Sequence, residues 1–113
     1  EAAAVTLTPD SGTVGTMADA RAATAFARIE NHYFVNRGWF REGQLIEDAA
    51  TLRDIPAVIV QGRHDVCTPP MTAWDLHRAW PEAELVMVAD ASHAASEPGI
   101  AAALRAATDR FVR

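Results

Sequence analysis

The sequence predicts an α/β fold in which two parallel strands alternate with helices. Two continuous runs of branched apolar residues, 57–60 and 85–88, each lead into a turn and are typical of strands in a parallel sheet. A stretch with helical spacing of apolar residues follows each run, so the order is strand, helix, strand, helix. Connections of this length are right-handed crossovers that pack helices on the sheet. Because two such strands would leave unpaired apolar edges, we expect further strands before residue 1.

The residues before the first strand predict an extended segment and a helix. Residues 3–8 carry a short strand-like signal that ends at the turn cluster 9–12, which is interpreted as a linker. A first helix is predicted from about residue 18 to residue 36, and Gly38 closes it. One face of this helix is formed by residues at helical spacing, and a carboxylate interrupts it: Phe26, Ile29, Glu30 and Tyr33.

Three further helices are predicted from the same spacing. The second helix is short and ends before Pro56; its apolar face is Leu45, Ile46, Ala49 and Leu52. For the third helix, Thr68 is the predicted cap and Pro81 the predicted stop. The last helix starts near Ser96 and Pro98, and its apolar series is Ile100, Ala103, Leu104, Ala107 and Phe111.

Composition and charge restrict the kinds of partner that this chain can have. It has 113 residues, of which 50% are hydrophobic and 22% charged, which is typical of a soluble globular domain and allows one domain at most. A net charge of −5 without a basic cluster argues against nucleic acid and against an anionic membrane surface. No apolar run approaches the roughly 20 residues that a membrane span needs. The single cysteine, Cys67, excludes an internal disulfide and favours the cytoplasm.

Two residues that can carry out acid and base chemistry follow the two predicted strands. Asp65 comes after the first strand and His93 after the second. Because the carboxyl ends of parallel neighbours lie at one edge of a sheet, both loops should open at that edge. An acid there can accept the Nδ1 proton of an imidazole and stabilise the imidazolium that forms when the ring takes a proton from a nucleophile.

A serine nucleophile of the kind that such a pair serves is not evident in these residues. The motif G-x-S-x-G does not occur, and Ser11, Ser92 and Ser96 all lack the strand-to-helix elbow that exposes a nucleophilic hydroxyl. In the chain order Ser, Asp, His, the serine would precede residue 1.

Other roles for these residues remain open from the pattern alone. Asp65 could be a turn or helix-capping residue, and His93 a surface or core histidine. Cys67 could be a nucleophile, although a small buried apolar role suits it better. Ligand-type atoms occur on His64 and on the three residues just named, but without cysteine pairs or an H-E-x-x-H helix no metal site is predicted.

Glu30 is the other candidate site residue that the pattern indicates. A carboxylate on an apolar helix face is costly to leave unpaired, so it should face a cation. That cation could be Arg28, Arg37 or the ammonium group of a ligand.

Several segments together resemble a known family. They are ARIENHYF at 27–34, IPAVIVQGRHD at 55–65, AWDLHRAWPEAEL at 73–85, SHAASEPG at 92–99 and ATDRF near the end. In this order they resemble the C-terminal part of the proline iminopeptidase (prolyl aminopeptidase) family of α/β-hydrolases. The resemblance implies that residues 1–50 are the C-terminal part of a helical cap domain. Residues 51–113 would then be the C-terminal part of the catalytic domain, with its two parallel βα units.

The resemblance also implies roles for four residues. Asp65 and His93 would complete a catalytic triad with an upstream serine, and Glu30 and Glu1 would bind the protonated imino group of an N-terminal proline. The implied activity is serine-type release of N-terminal proline from peptides in the cytoplasm, without a cofactor and with peptides as partners. Alternatives are another α/β-hydrolase, such as an esterase, epoxide hydrolase or amidase, or a non-catalytic fragment. The 113 residues alone are expected to be inactive.

Two positions depart from the pattern of that family. Ser92 stands where a glycine usually precedes the histidine, and we expect it to narrow the approach to His93. His64 stands where an aromatic residue usually precedes the acid, and it could compete for a hydrogen bond of Asp65.

Overall fold

The computed structural model describes residues 5–8 and 20–112. Its elements in chain order are helix α1 (Ala20–Val35), a single turn (Arg37–Trp39), helix α2 (Gln44–Asp48), a 3₁₀ turn (Ala49–Leu52), strand β1 (Val58–Gly62), helix α3 (Pro70–Ala79), strand β2 (Glu84–Val88) and helix α4 (Pro98–Asp109). None of these helices combines the length and the apolar character that crossing a bilayer requires.

The two strands form the parallel sheet that the sequence predicts. Val58 lies opposite Glu84 and Gly62 lies opposite Val88, so the strands are aligned from end to end. Helices α3 and α4 contact both strands. The prediction of an α/β fold with two parallel βα units is confirmed, and the predicted strands are displaced from the observed ones by one or two residues.

The core of the described residues is small, and the prediction of strands buried on both faces is wrong for them. All of β1 except Gly62 is half-buried, and β2 begins at the exposed Glu84. The buried apolar residues are Ala49, Ala73, Ala83, Ala91 and Ile100. Because the described sheet has two strands, each strand has a neighbour along one edge, and the strands stay accessible.

Helix α1 stands apart from the sheet. Among the described elements it contacts the turn Arg37–Trp39 and no other element. Its predicted apolar face is therefore exposed, with Ile29 accessible over 63% of its surface. The chain reverses after the helix through three residues with positive φ, of which the central one, Gly38, tolerates that conformation best.

The beginnings of the later helices differ from the predictions in detail. Helix α2 and the turn that follows it cover the predicted second helix. Helix α3 begins after Pro69, without a side-chain cap, so the prediction that Thr68 caps it is wrong. The Thr68 hydroxyl instead donates a hydrogen bond to Asp65. Helix α4 confirms the predicted C-terminal helix.

The N-terminal prediction is only partly covered by the structure. Residues 5–8 form bends and no strand, but their backbone contacts the loop after β2. The turn cluster 9–12 and Glu1 lie outside the described residues.

Candidate active site

The site lies where β1 and β2 end, on the same edge of the sheet. The N–H of Arg63 donates to Val88 O at 2.9 Å, and the N–H of His64 donates to Ala91 O at 3.0 Å. These bonds continue the contact between the two chain segments beyond the strands. The loops that follow therefore leave the sheet side by side.

Gly62 lets these two loops approach closely. A Cβ atom at position 62 would lie 1.9 Å from the backbone oxygen of Ser92, far inside the contact distance of two atoms. A glycine is the residue that allows such an approach, because it has no side chain. The close approach brings the loop after β1 against the loop that carries His93.

Asp65 and His93 meet at this edge. Asp65 Oδ2 and His93 Nδ1 lie 3.0 Å apart, although 28 residues separate them in the sequence. Asp65 is buried, with 6% of its surface accessible, whereas the His93 side chain is 39% accessible. Both loops open at one edge of the sheet, as the positions of the two residues after the predicted strands indicated, and the structure adds that the acid is buried and the imidazole open to solvent.

The Asp65 carboxylate is surrounded by donors from its own loop. Oδ1 accepts the backbone N–H of Cys67 at 2.9 Å and that of Thr68 at 2.8 Å. Oδ2 accepts the Thr68 hydroxyl at 2.7 Å and the Gln61 amide at 3.3 Å, in addition to His93. The chain turns tightly around the carboxylate because successive backbone groups point at it.

These contacts decide the charge state of Asp65. Burial by itself raises the pKa of the carboxyl group, since it disfavours the charged form. The hydrogen bonds from the backbone and hydroxyl of Thr68, then the hydrogen bond and charge of His93, lower the pKa by more. The pKa of Asp65 therefore lies below its ordinary value, and the group is a carboxylate at neutral pH.

The partners of His93 fix which of its nitrogens is free to react. Thr68 Oγ1 is 3.3 Å from His93 Nδ1, and the one hydroxyl proton of Thr68 is directed to Asp65. The Nδ1–H of the neutral ring is thus shared between two acceptors, Asp65 Oδ2 and Thr68 Oγ1. Nε2 is then the nitrogen without a proton, and it can accept one.

Hydrogen bonds to Val5 and to Glu97 hold the backbone of the His93 loop. The N–H groups of His93 and Ala94 donate to Val5 O at 3.0 and 2.7 Å. Glu97 accepts the N–H of Ser92 at 2.9 Å with Oε1 and the N–H of Leu7 at 3.2 Å with Oε2.

Thr68 and Glu97 are site residues that sequence reasoning missed. Thr68 is predicted from the sequence as a helix cap, and Glu97 carries no role although it lies in the SEPG segment that supports the family resemblance. The available signals were the closeness of Thr68 to Asp65 in the chain and the acid placed just before Pro98. Neither signal predicts that the Thr68 hydroxyl contacts the Asp65 carboxylate or that Glu97 contacts two backbone N–H groups.

The structure shows the contacts of the two residues that depart from the family pattern. Ser92 is buried, and its hydroxyl donates to the backbone oxygen of His64 at 3.1 Å, so it joins the two loops. The His64 side chain is exposed and makes no hydrogen bond to Asp65 among the described residues. It therefore does not compete with His93 for the carboxylate.

The prediction that Cys67 is a small buried residue is wrong. Its N–H points at Asp65, and its side chain is exposed. Thiol, carboxylate and imidazole ligand atoms of Cys67, Asp65 and His93 lie within 4.8 Å of one another, so a soft metal ion could approach them. However, the Asp65 oxygens already accept five hydrogen bonds, which favours the role of orienting His93 over that of a metal ligand.

Among the described residues, the structure does not bring Glu30 to this pair. Glu30 is half-buried on α1, which contacts no element of the sheet among the described residues. Among those residues it forms an ion pair with neither Arg28 nor Arg37. Glu1 lies outside the described part of the chain.

Comparisons with known proteins identify what this chain is similar to. Residues 27–113 match the family described as TAP-like protein. The chain is 52% identical over 106 residues to a proline iminopeptidase of Arabidopsis thaliana, which covers 93% of this chain and 28% of that relative. It is 56% identical over 94 residues to a proline iminopeptidase of Xanthomonas citri, covering 82% of this chain and 30% of the relative. It thus spans less than a third of the length of these relatives.

Proposed function

Because this chain belongs to the TAP-like family of α/β-hydrolases, we propose that it forms the C-terminal part of a longer serine-type aminopeptidase, which releases N-terminal proline from peptides. The longer protein is called the full-length protein below. The observation that carries the proposal is the 3.0 Å hydrogen bond between His93 Nδ1 and Asp65 Oδ2 at the ends of two parallel strands. Its similarity to relatives named proline iminopeptidase supports the substrate class.

In this proposal His93 is the base and Asp65 orients it. A serine outside these residues attacks the prolyl carbonyl carbon, and its proton passes to His93 Nε2. Asp65 holds Nδ1–H and stabilises the imidazolium that forms. His93 then gives the proton to the leaving amine, and water hydrolyses the acyl-enzyme. The reaction needs no cofactor, and without the serine these 113 residues are inactive.

Glu30 is proposed to bind the substrate's imino group, together with Glu1. Glu30 is half-buried and has no ion-pair partner among residues 5–8 and 20–112, which leaves its carboxylate available to a ligand cation. A carboxylate that meets a protonated amine selects substrates with a free N-terminus, because a blocked substrate leaves the acid unpaired.

The test uses the full-length protein with two substrates, proline-4-nitroanilide and the ester 4-nitrophenyl acetate. We expect Glu30→Gln to lower kcat/KM for proline-4-nitroanilide by about 100-fold, because a charged hydrogen bond to the amine is lost. Hydrolysis of the ester, which has no amine, should stay within about twofold of the wild type.

Glu42→Gln is the matched control, since Glu42 is an exposed acid in the turn before α2. It should leave both activities unchanged. Proline release that persists in Glu30→Gln would remove the proposed role of Glu30. A full-length protein that cleaves the ester and releases no proline would instead be an esterase of the same family.

A further inference from the structure

One carboxylate connects the loop of His93 to a segment far away in the sequence. Glu97 Oε1 accepts the N–H of Ser92 at 2.9 Å, and Oε2 accepts the N–H of Leu7, 90 residues away, at 3.2 Å. In the other direction, Val5 O accepts the N–H groups of His93 and Ala94. Four hydrogen bonds therefore join residues 5–8, the His93 loop and Glu97.

We propose that Glu97 is a positioning residue that holds the backbone of the His93 loop in the place where the imidazole reaches both Asp65 and the nucleophile. The inference rests on the proposed function only in taking His93 as the base. Glu97 itself bonds to Ser92 and Leu7 and acts on the reaction through His93.

The position of the imidazole depends on two anchors, and Glu97 controls one of them. The ring is anchored by the 3.0 Å bond from Nδ1 to Asp65. The backbone next to it is anchored at Ser92, whose N–H bonds to Glu97 and whose hydroxyl bonds to His64 O at 3.1 Å. If the Ser92 anchor moves, the ring must rotate to keep its bond to Asp65, and Nε2 then moves away from the nucleophile.

The chemistry of the contact requires a carboxylate. Both oxygens of Glu97 accept a hydrogen bond from a backbone N–H, and a negative charge strengthens both bonds. A glutamine of the same shape offers one oxygen and one NH₂ group, and the NH₂ cannot accept. One of the two N–H groups would then face a donor. This costs free energy at the Ser92 contact, which is partly buried, and less at the exposed Leu7 contact.

The first experiment compares Glu97→Gln with wild type in the full-length protein. Active sites are counted by the burst of 4-nitrophenolate from a 4-nitrophenyl ester, and kcat per active site is measured for that ester and for proline-4-nitroanilide. We expect kcat per active site to fall by about 10-fold to 100-fold for both substrates, because His93 serves both. The control is Glu82→Gln, since the Glu82 side chain lies at the surface, 3.8 Å from Arg53; it should leave kcat unchanged.

The result separates positioning from a general loss of structure. A lower burst with unchanged kcat per active site would show that Glu97 only supports folding, and an unchanged kcat in a fully active variant would also overturn the proposal. Because the ester reports on His93 without an amine, failure of proline release alone would count against the proposed substrate and not against Glu97.

A second measurement does not depend on activity or on the folding of a variant. In the wild-type protein, hydrogen exchange at the amides of Leu7 and Ser92 should be slow, because both donate to Glu97. Fast exchange at both amides would contradict the proposal.

Discussion

Asp65 organises the loop after β1 by collecting hydrogen bonds that offset the cost of burying its charge. A buried carboxylate without partners would lose its hydration, a cost that a protein avoids by neutralising the group. Here two backbone N–H groups, a hydroxyl, an amide and an imidazole point at its two oxygens. The same bonds that fold the loop also keep Asp65 charged and ready to orient His93.

The lowered pKa of Asp65 predicts how stability depends on pH. A carboxyl group whose pKa is lowered on folding stabilises the fold above its unfolded pKa, and this stabilisation is lost as the pH falls through its folded pKa. We expect Asp65→Asn to lower the unfolding temperature of the full-length protein at about pH 7. The difference from wild type should shrink as the pH falls from about 4 towards about 2. Calorimetry across this range checks the expectation.

Asp75→Asn is the control for this prediction. Asp75 is exposed on α3, and it makes no hydrogen bond or ion pair among the described residues. Its variant should follow the wild type at every pH. A difference between Asp65→Asn and wild type that is the same at both ends of the range would show that the loss comes from packing and not from the charge.

At the scale of elements, the site depends on how closely two loops cross. The end of β1 passes against the loop after β2 so tightly that the backbone oxygen of Ser92 occupies the place of a side chain at Gly62. The parallel register of the strands sets this crossing, because Gly62 lies opposite Val88 at the end of both. The pairing of the strands and the close approach of Gly62 to Ser92 thus bring Asp65 and His93 within hydrogen-bonding distance.

A methyl group at Gly62 should separate the two loops. We expect Gly62→Ala to lower the free energy of unfolding of the full-length protein by at least about 3 kcal/mol, because a backbone oxygen cannot move aside without shifting the loop. Gly99→Ala is the matched comparison, since a Cβ there would meet a side-chain atom, Val88 Cγ1, at 2.6 Å. It should cost about 1 kcal/mol. Equal losses in urea denaturation would contradict the close crossing.

Helix α1 is an element whose packing partners are mostly missing from the described residues. Its apolar residues follow helical spacing, but among the described elements only the turn Arg37–Trp39 contacts the helix. Glu30 is half-buried on this helix and separate from the sheet edge where Asp65 and His93 lie. Its proposed role in binding the substrate amine therefore requires a surface that closes over α1 in the full-length protein.

For the whole molecule, the exposed surface is larger than a compact chain of this size presents. The accessible area is 8293 Å² for 12.2 kDa, whereas a compact monomer of that mass exposes about 6000 Å². Among the described residues, large apolar side chains such as Phe34, Val35 and Trp39 are mostly accessible. Large apolar side chains that stay exposed in this way are typical of a face that packs against another part of a protein.

The 113 residues expressed alone should therefore not form a stable monomer. We expect them to bind the dye 1-anilinonaphthalene-8-sulfonate, to aggregate on size-exclusion chromatography and to unfold without a cooperative transition, because their apolar surface has nothing to pack against. The full-length protein, measured in the same way, is the control and should unfold cooperatively. A monomeric elution profile with a sharp thermal transition for the isolated residues would contradict this expectation.

Much of the fold could be predicted from the sequence because periodicity reports local structure directly. The branched runs gave both strands within two residues, and the apolar spacing gave α1, α3 and α4. The parallel pairing followed from strands that alternate with helices. Burial could not be predicted in this way, because the apolar run of β1 is typical of a strand covered on both faces, whereas most of β1 is half-buried among the described residues.

The sequence by itself determined the order of the elements, the family, and the placing of Asp65 and His93 after neighbouring strands. Only the tertiary structure decided that the Thr68 hydroxyl serves Asp65, that Cys67 is exposed, and that Glu97 joins Ser92 to Leu7. The physical reason is that hydrogen bonds depend on where the backbone brings donors and acceptors. Asp65 and His93 are 28 positions apart in the chain, and Leu7 and Glu97 are 90 apart. No local sequence pattern predicts that residues so far apart form hydrogen bonds.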